Sequence, residues 1–182
     1  MSTLPHDAIE ESERRWAYVV AGVIGFVFAA IIFSSVHFTA QPPSNVETID
    51  ASRLHLAGEF VEENLGTAVQ PDGSVIVRVI AQQYSFVPSC MVVPAQTPVV
   101  FRVTSPDVVH GFLITDTNVN SMVVPGFVAE VRTRFNSARD HLMPCHEYCS
   151  VGHDSMWAHV KVVDRREFEK SYGGQPRASC VR

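Results

Sequence analysis

Cysteine, histidine and methionine crowd one stretch of this chain, Met143-Pro144-Cys145-His146-Glu147-Tyr148-Cys149-Ser150-Val151-Gly152-His153-Asp154-Ser155-Met156. Cys145, Cys149, His153 and Met156 follow the spacing C-x3-C-x3-H-x2-M. Thiolate and thioether sulfurs combined with imidazole nitrogen select copper or zinc, and a Met has little value to zinc but tunes a copper potential. Copper is therefore the expected metal. A one-copper blue site uses one Cys, two His and an axial Met, so the second Cys is surplus unless two ions share both sulfurs. Two thiolate bridges would let both ions share one electron with little change in any bond, which favours fast electron transfer. Such a site needs a second imidazole from another loop. His110, in Asp107-Val108-Val109-His110-Gly111-Phe112 between two apolar runs, is the chosen donor.

Blander readings of the same residues explain less. A Cys145–Cys149 disulfide suits an oxidising compartment but leaves His153 and Met156 without a role. A structural zinc site would be colourless. A membrane-anchored copper chaperone with a C-x3-C pair would be thioredoxin-like, with alternating strands and helices, which the strand-only pattern here opposes. His146, His141 and His159 read as surface or strand histidines, and Met143 and Met122 as core fillers. Cys90 reads as a small buried residue, with pairing to Cys180 open to it in an oxidising space.

The elements that must position these donors are short strands. From Ser74 onward the runs VIVRVIAQQYSF, MVVP, VVFRVTS, GFLIT, VAEVRTRF, HLMP and AHVKVV are each bounded by Pro, Gly, Asn or Asp, the pattern of an all-β sandwich. The 182 residues leave room for one such domain, placed at 74–163. Residues 39–73, punctuated by Pro, Gly and Asn, read as a linker with a short helix around Arg53 to Glu63, and 164–182 as a charged, mobile tail.

Before the linker, Trp16 to Phe33 carries no charge for 18 residues and the apolar character continues to Phe38. That length crosses about 30 Å of hydrocarbon, so 16–38 is expected to be one transmembrane helix. Arg14 and Arg15 precede it and no Lys or Arg follows until Arg53. The positive-inside bias then puts residues 1–15 in the cytoplasm and the C-terminal domain outside. A signal peptide would have a shorter apolar region and a cleavage site, where this chain has HFTAQPP. The net charge of -5 argues against a nucleic-acid partner.

TSPDVVHGF, TNVNSMVVPG and CHEYCSVGHDSM together resemble subunit II of cytochrome c oxidase, particularly the type B branch of heme-copper oxidases with a single transmembrane helix. The resemblance covers about Tyr84 to Val163. It implies a cupredoxin-like β-sandwich carrying a binuclear copper centre, CuA, held by His110, Cys145, the backbone carbonyl of Glu147, Cys149, His153 and Met156. It also implies a membrane-bound partner, subunit I with its hemes and CuB, and a cytochrome c or small copper protein as donor. Oxygen would be reduced to water in subunit I, coupled to proton translocation, and not on this chain. The setting is a bacterial or archaeal-type cell membrane, with the copper domain on the periplasmic or extracellular side. A CuA subunit of a nitric oxide reductase shares the single helix and is the nearest alternative.

Three further roles come with the resemblance. Tyr84 and Phe86 lie where the family presents an aromatic residue to the incoming donor, although aromatic residues on a strand are core by default. Glu13 matches a Glu near the mouth of a proton-uptake path, and by itself reads as a solvated charge beside Glu10 and Glu11. The Glu147 side chain matches an Mg2+ ligand at the subunit I boundary in related oxidases; an interfacial hydrogen bond is the plainer reading. The chain departs from the family at His146, where a small polar residue is common, and at Ser150, where Gly is common. Ser150 would strain the loop if that position takes a positive φ.

Overall fold

The computed structural model describes residues 6–37, 47–172 and 177–180. The chain forms two compact units, Met1–Ser44 and Asn45–Arg182. The described residues of the first form one helix, α1, His6–His37. Its stretch Asp7–Val36 is long and apolar enough to cross a membrane. The helix begins well before the apolar run expected to start at Trp16. Glu10, Glu11, Arg14 and Arg15 are good helix formers, and Glu11 pairs with Arg15 one turn on. Phe38 and residues 39–46 of the expected linker lie outside the described residues.

Among the described residues, the second unit has eleven short strands: β1 Glu47–Thr48, β2 Gly66–Val69, β3 Val75–Gln82, β4 Ser85–Val87, β5 Cys90–Pro94, β6 Pro98–Thr104, β7 His110–Leu113, β8 Asn120–Val123, β9 Phe127–Arg134, β10 Arg139–Pro144 and β11 Trp157–Val163. One sheet runs β1-β9-β6-β3-β2 with β4 also paired to β3; a second runs β10-β11-β5, and β7 pairs with β8. β3 with β6 and β11 with β5 are parallel. Period-two alternation sends Val75, Val77 and Val79 inward from β3, where they join Met91, Phe101, Phe112, Met143 and Val160 in one buried core. The fold is a β-sandwich, as the strand spacing indicated, and a cupredoxin-like one, as the resemblance implied.

Two expectations about the flanks are corrected. Residues 47–73 are part of the domain: Leu54, Phe60 and Leu65 form a second buried cluster with Ile80 and Val128. The short helix expected near Arg53 to Glu63 is instead two single 3-10 turns, Ala51–Arg53 and Glu62–Asn64. Nor is the stretch after Asp164 a loose tail. A second helix, α2 Arg165–Tyr172, buries Phe168 against Val92, Val163 and Ala178. Ala178 and Ser179 bridge to Thr67 and Met91, and Cys180 forms a disulfide with Cys90. Charge density and Gly/Pro content hid the amphipathic turn pattern, while the Cys90–Cys180 pairing left open by the sequence is formed.

Glu59 fixes the covering segment by charge. Arg78 of β3 and Arg102 of β6 are direct cross-strand partners, a repulsive pairing on its own. Glu59 accepts from both, at 2.9 Å and 2.6 Å, while Arg102 also reaches Glu47 and Glu130. Burial opposes ionisation of Glu59, but Arg102 and then Arg78 outweigh it and hold its carboxyl below its ordinary value. A depressed carboxyl stabilises the fold above its unfolded pKa, and that contribution is lost as pH falls through the folded value. Glu59→Gln should therefore cost about 2 kcal/mol at neutral pH, with the penalty shrinking below about pH 4.5. Urea unfolding of wild type and variant across that range checks it. A penalty independent of pH would mean that shape, not charge, holds the segment.

Candidate metal centre

The hairpin β10–β11 is closed at its base by the pair Pro144↔Trp157 and by the Cys145 N–H donating to the Met156 carbonyl at 3.0 Å. Residues 145–156 thus leave and return at adjacent points, which sets Cys145 beside Met156 although eleven positions separate them. Within the loop, Ser150 takes φ 100°. The His153 N–H donates to the Ser150 carbonyl at 3.1 Å and a 3-10 turn spans His153–Ser155. That reversal brings His153 back onto Cys149. The opposite wall comes from residues 105–110. Ser105 Oγ donates to the Val108 carbonyl, and Asp107 Oδ1 accepts from the Val108 N–H, turning the chain so that β7 opens with the fully buried His110.

The donors converge. Cys145 Sγ lies 3.8 Å from Cys149 Sγ, 3.8 Å from His110 Nδ1 and 3.3 Å from the Glu147 carbonyl oxygen. Cys149 Sγ lies 3.7 Å from His153 Nδ1 and 3.8 Å from Met156 Sδ. Ligand atoms of His110, Cys145 and Cys149 all fall within 4.8 Å of one another. The sulfur separation is less than two metal–thiolate bonds of about 2.3 Å each, so an ion can bond both sulfurs, and the mixture of thiolate, imidazole and thioether is the soft set copper prefers. Burial, with Cys145 alongside, pushes the Cys149 thiol up to about 11. A bound cation would reverse that penalty.

Asp107 sets the imidazole. Its Oδ1 is 2.9 Å from His110 Nε2, which leaves Nδ1 facing the sulfurs. Burial disfavours its charge, but the Gln83 N–H, His110, the Val108 N–H and Ser105 together hold the carboxyl below its usual range. The i,i+3 spacing of S-P-D-x-x-H carried this signal, although no role was read from it. Two glycines were also missed: a Cβ on Gly111 would lie 2.5 Å from the His146 ring, and one on Gly152 would lie 2.6 Å from Tyr84. Both rings pack against a glycine next to a donor residue.

The other predicted residues separate. Tyr84 is 40% exposed next to the ligand loop, whereas Phe86 is 1% exposed in the core and presents no surface to a donor. The Glu147 carboxylate is partly exposed and lies 3.7 Å from His146. Glu13 is an exposed residue of α1, in the other unit. Met143 is buried as expected, but Met122 is 51% exposed and fills no core. His141, on β10, is buried, with Nδ1 2.7 Å from the Thr115 carbonyl. His159 lies on β11 in register with Cys90.

A cupredoxin sandwich with this donor set defines a copper-binding electron-transfer domain, here carried with an apolar N-terminal helix. Comparison with known proteins narrows the class. The family model for the periplasmic domain of cytochrome c oxidase subunit II matches residues 76–163. Cytochrome c oxidase subunit 2 of Thermus thermophilus is 31% identical over 162 residues, spanning 87% of this chain and 96% of that protein. Heme-copper oxidase subunit 2 of Aeropyrum pernix is 35% identical over 88 residues, 47% of this chain and 38% of that protein. A chain of a heme-copper terminal oxidase dimer solved by cryo-EM superposes with a TM-score of 0.63 at 21% identity, covering 84% of this chain and 99% of that one. The chain belongs to the cytochrome c oxidase subunit II family of heme-copper oxidases.

The positive φ of Ser150 is a backbone state that costs a non-glycine residue about 1–3 kcal/mol. Ser150→Gly should remove that strain, partly offset by the greater freedom of glycine in the unfolded chain. The melting temperature should rise by a few degrees in a thermal scan of the metal-free domain. An unchanged or lowered value would show that Ser150 is not strained there.

Proposed function

We propose that this chain accepts electrons from cytochrome c or a small copper protein and passes them to heme in subunit I of a type B terminal oxidase, where oxygen is reduced to water. The observation that carries the reading is the doubled donor set. Two thiolates, two imidazoles, one thioether and one carbonyl are too many for one copper and suffice for two that share both sulfurs. His110, Cys145, the Glu147 carbonyl, Cys149, His153 and Met156 would hold this CuA centre. Copper, when bound, supplies a one-electron carrier whose charge is spread over both ions. The protein's part is to keep the donors fixed, so that little rearranges on oxidation or reduction. Alone, the chain carries electrons and reduces no oxygen.

The surroundings suit that role. Tyr84, resting on Gly152 beside His153, gives a donor an aromatic contact one residue from a ligand, and the exposed Tyr148 and Val151 add apolar surface on the same loop. In this reading α1 anchors the chain with its N-terminus in the cytoplasm and the copper domain outside, and Glu13 takes part in proton uptake at the inner end. The Glu147 carboxylate reaches the subunit I boundary, where a hard cation such as Mg2+ would accept an oxygen ligand and keep several waters.

Cys149→Ser separates the bridge from the rest, since one thiolate cannot join two ions symmetrically. The variant should lose the purple binuclear spectrum, and a variant that kept it would exclude a shared-sulfur centre. Glu147→Gln leaves the carbonyl in place and removes only the charge. The oxidase complex carrying it should keep the copper spectrum but lose the Mn2+ signal that wild-type complex acquires in EPR after growth in manganese. Wild-type complex that never takes up Mn2+ would rule out the metal role.

A further inference from the structure

Gln83 sits in the turn between β3 and β4 and supplies no metal donor, yet it touches both walls of the site. Its backbone N–H donates to Asp107 Oδ2 at 2.7 Å, and the same carboxylate holds His110 Nε2 at 2.9 Å. Its side-chain Nε2 donates to the carbonyl of Cys149, also at 2.7 Å. An unbroken hydrogen-bonded path therefore runs from the buried imidazole of His110 through Asp107 and Gln83 to the backbone of a bridging cysteine. Three segments remote in sequence, around Gln83, Asp107 and Cys149, meet in it.

We propose that Gln83 is a positioning residue for the copper centre, tying the loop that carries His110 to the loop that carries Cys149 so that the donors stand at bridging separation before metal arrives. The inference rests on the assignment of His110 and Cys149 as ligands. The physical need follows from the distances. The donor contact that joins the two loops, Cys145 Sγ to His110 Nδ1, is 3.8 Å long, too long and weak to hold them in register. A carbonyl of the ligand loop anchored at 2.7 Å removes freedom at Cys149 itself. Glutamine is suited to the task, because its backbone and side-chain donors point to different partners and neither needs a charge that would compete with the metal. Residues that orient metal ligands in this way are typically worth roughly 10–100-fold in metal affinity. The exposed Gln83 belongs at the lower end of that range.

The test uses the full-length chain in detergent, loaded with copper, as wild type, Gln83→Met and Gln83→Glu. Met keeps the length and removes the donor, while Glu keeps the shape and sets an acceptor against the Cys149 carbonyl. Copper removal by a competing chelator should become about tenfold easier in Gln83→Met and easier again in Gln83→Glu. The melting temperature of the metal-free protein, which also reports folding, should barely move for Gln83→Met. Wild-type copper retention in Gln83→Met, or a loss of metal-free stability with copper retention unchanged, would overturn the positioning role. Cys149→Ser run alongside distinguishes the two levels. If it retains copper like wild type, the ligand assignment fails and this inference with it; if it loses copper while Gln83→Met does not, the positioning role alone fails.

Discussion

Two buried thiols stand 3.8 Å apart in one loop, near enough to share a metal and not bonded to each other. Burial with a like neighbour keeps the Cys149 thiol protonated without a cation. Everything near the site bears on that separation. The β10–β11 hairpin returns Met156 to Cys145, the positive φ of Ser150 turns His153 back onto Cys149, and Asp107 fixes the ring of His110 from behind. The donors are delivered by backbone turns that are hydrogen-bonded independently of any metal, so the geometry is in place before chemistry is asked of it. For an electron carrier this rigidity is the functional property, because small movement between redox states keeps the barrier to transfer low.

The rest of the domain stiffens this end of the sandwich from outside. β11 follows directly from Met156 and pairs in parallel with β5, whose first residue, Cys90, is covalently joined to Cys180. The C-terminal segment therefore clamps the strand paired with the one on which the ligand loop lands. On the outer face of the other sheet, Leu54 and Phe60 cover Ile80, and Glu59 joins the facing Arg78 and Arg102. Both features secure β3, the strand that leads into the turn holding Gln83 and Tyr84.

The donors were legible because metal chemistry constrains residue type and spacing together. C-x3-C-x3-H-x2-M admits few readings, and strand patterning sufficed for the sandwich. What was not legible depended on partners distant in sequence. Residues 47–65 lack a strong periodic signal and fold by covering a face already made by Ile80 and Val128. The segment after Asp164 is polar by composition, yet Phe168 and Cys180 bind it to β5. Phe86 and Tyr84 are two residues apart in one run, but Phe86 lies on β4 and faces the core, whereas Tyr84 falls in the turn between β3 and β4 and stays at the surface. Gln83 carried no sequence signal at all, because its role exists only where three loops meet.

The central claim is that both cysteines serve two coppers at once, and the most direct test counts the metal and locates its electron. Residues 45–182, a compact unit with its own core, loaded with copper and freed of excess, should hold two coppers per chain. EPR of the oxidised form should give a hyperfine pattern from one electron spread over both nuclei. One copper per chain with a single-nucleus pattern would contradict the account.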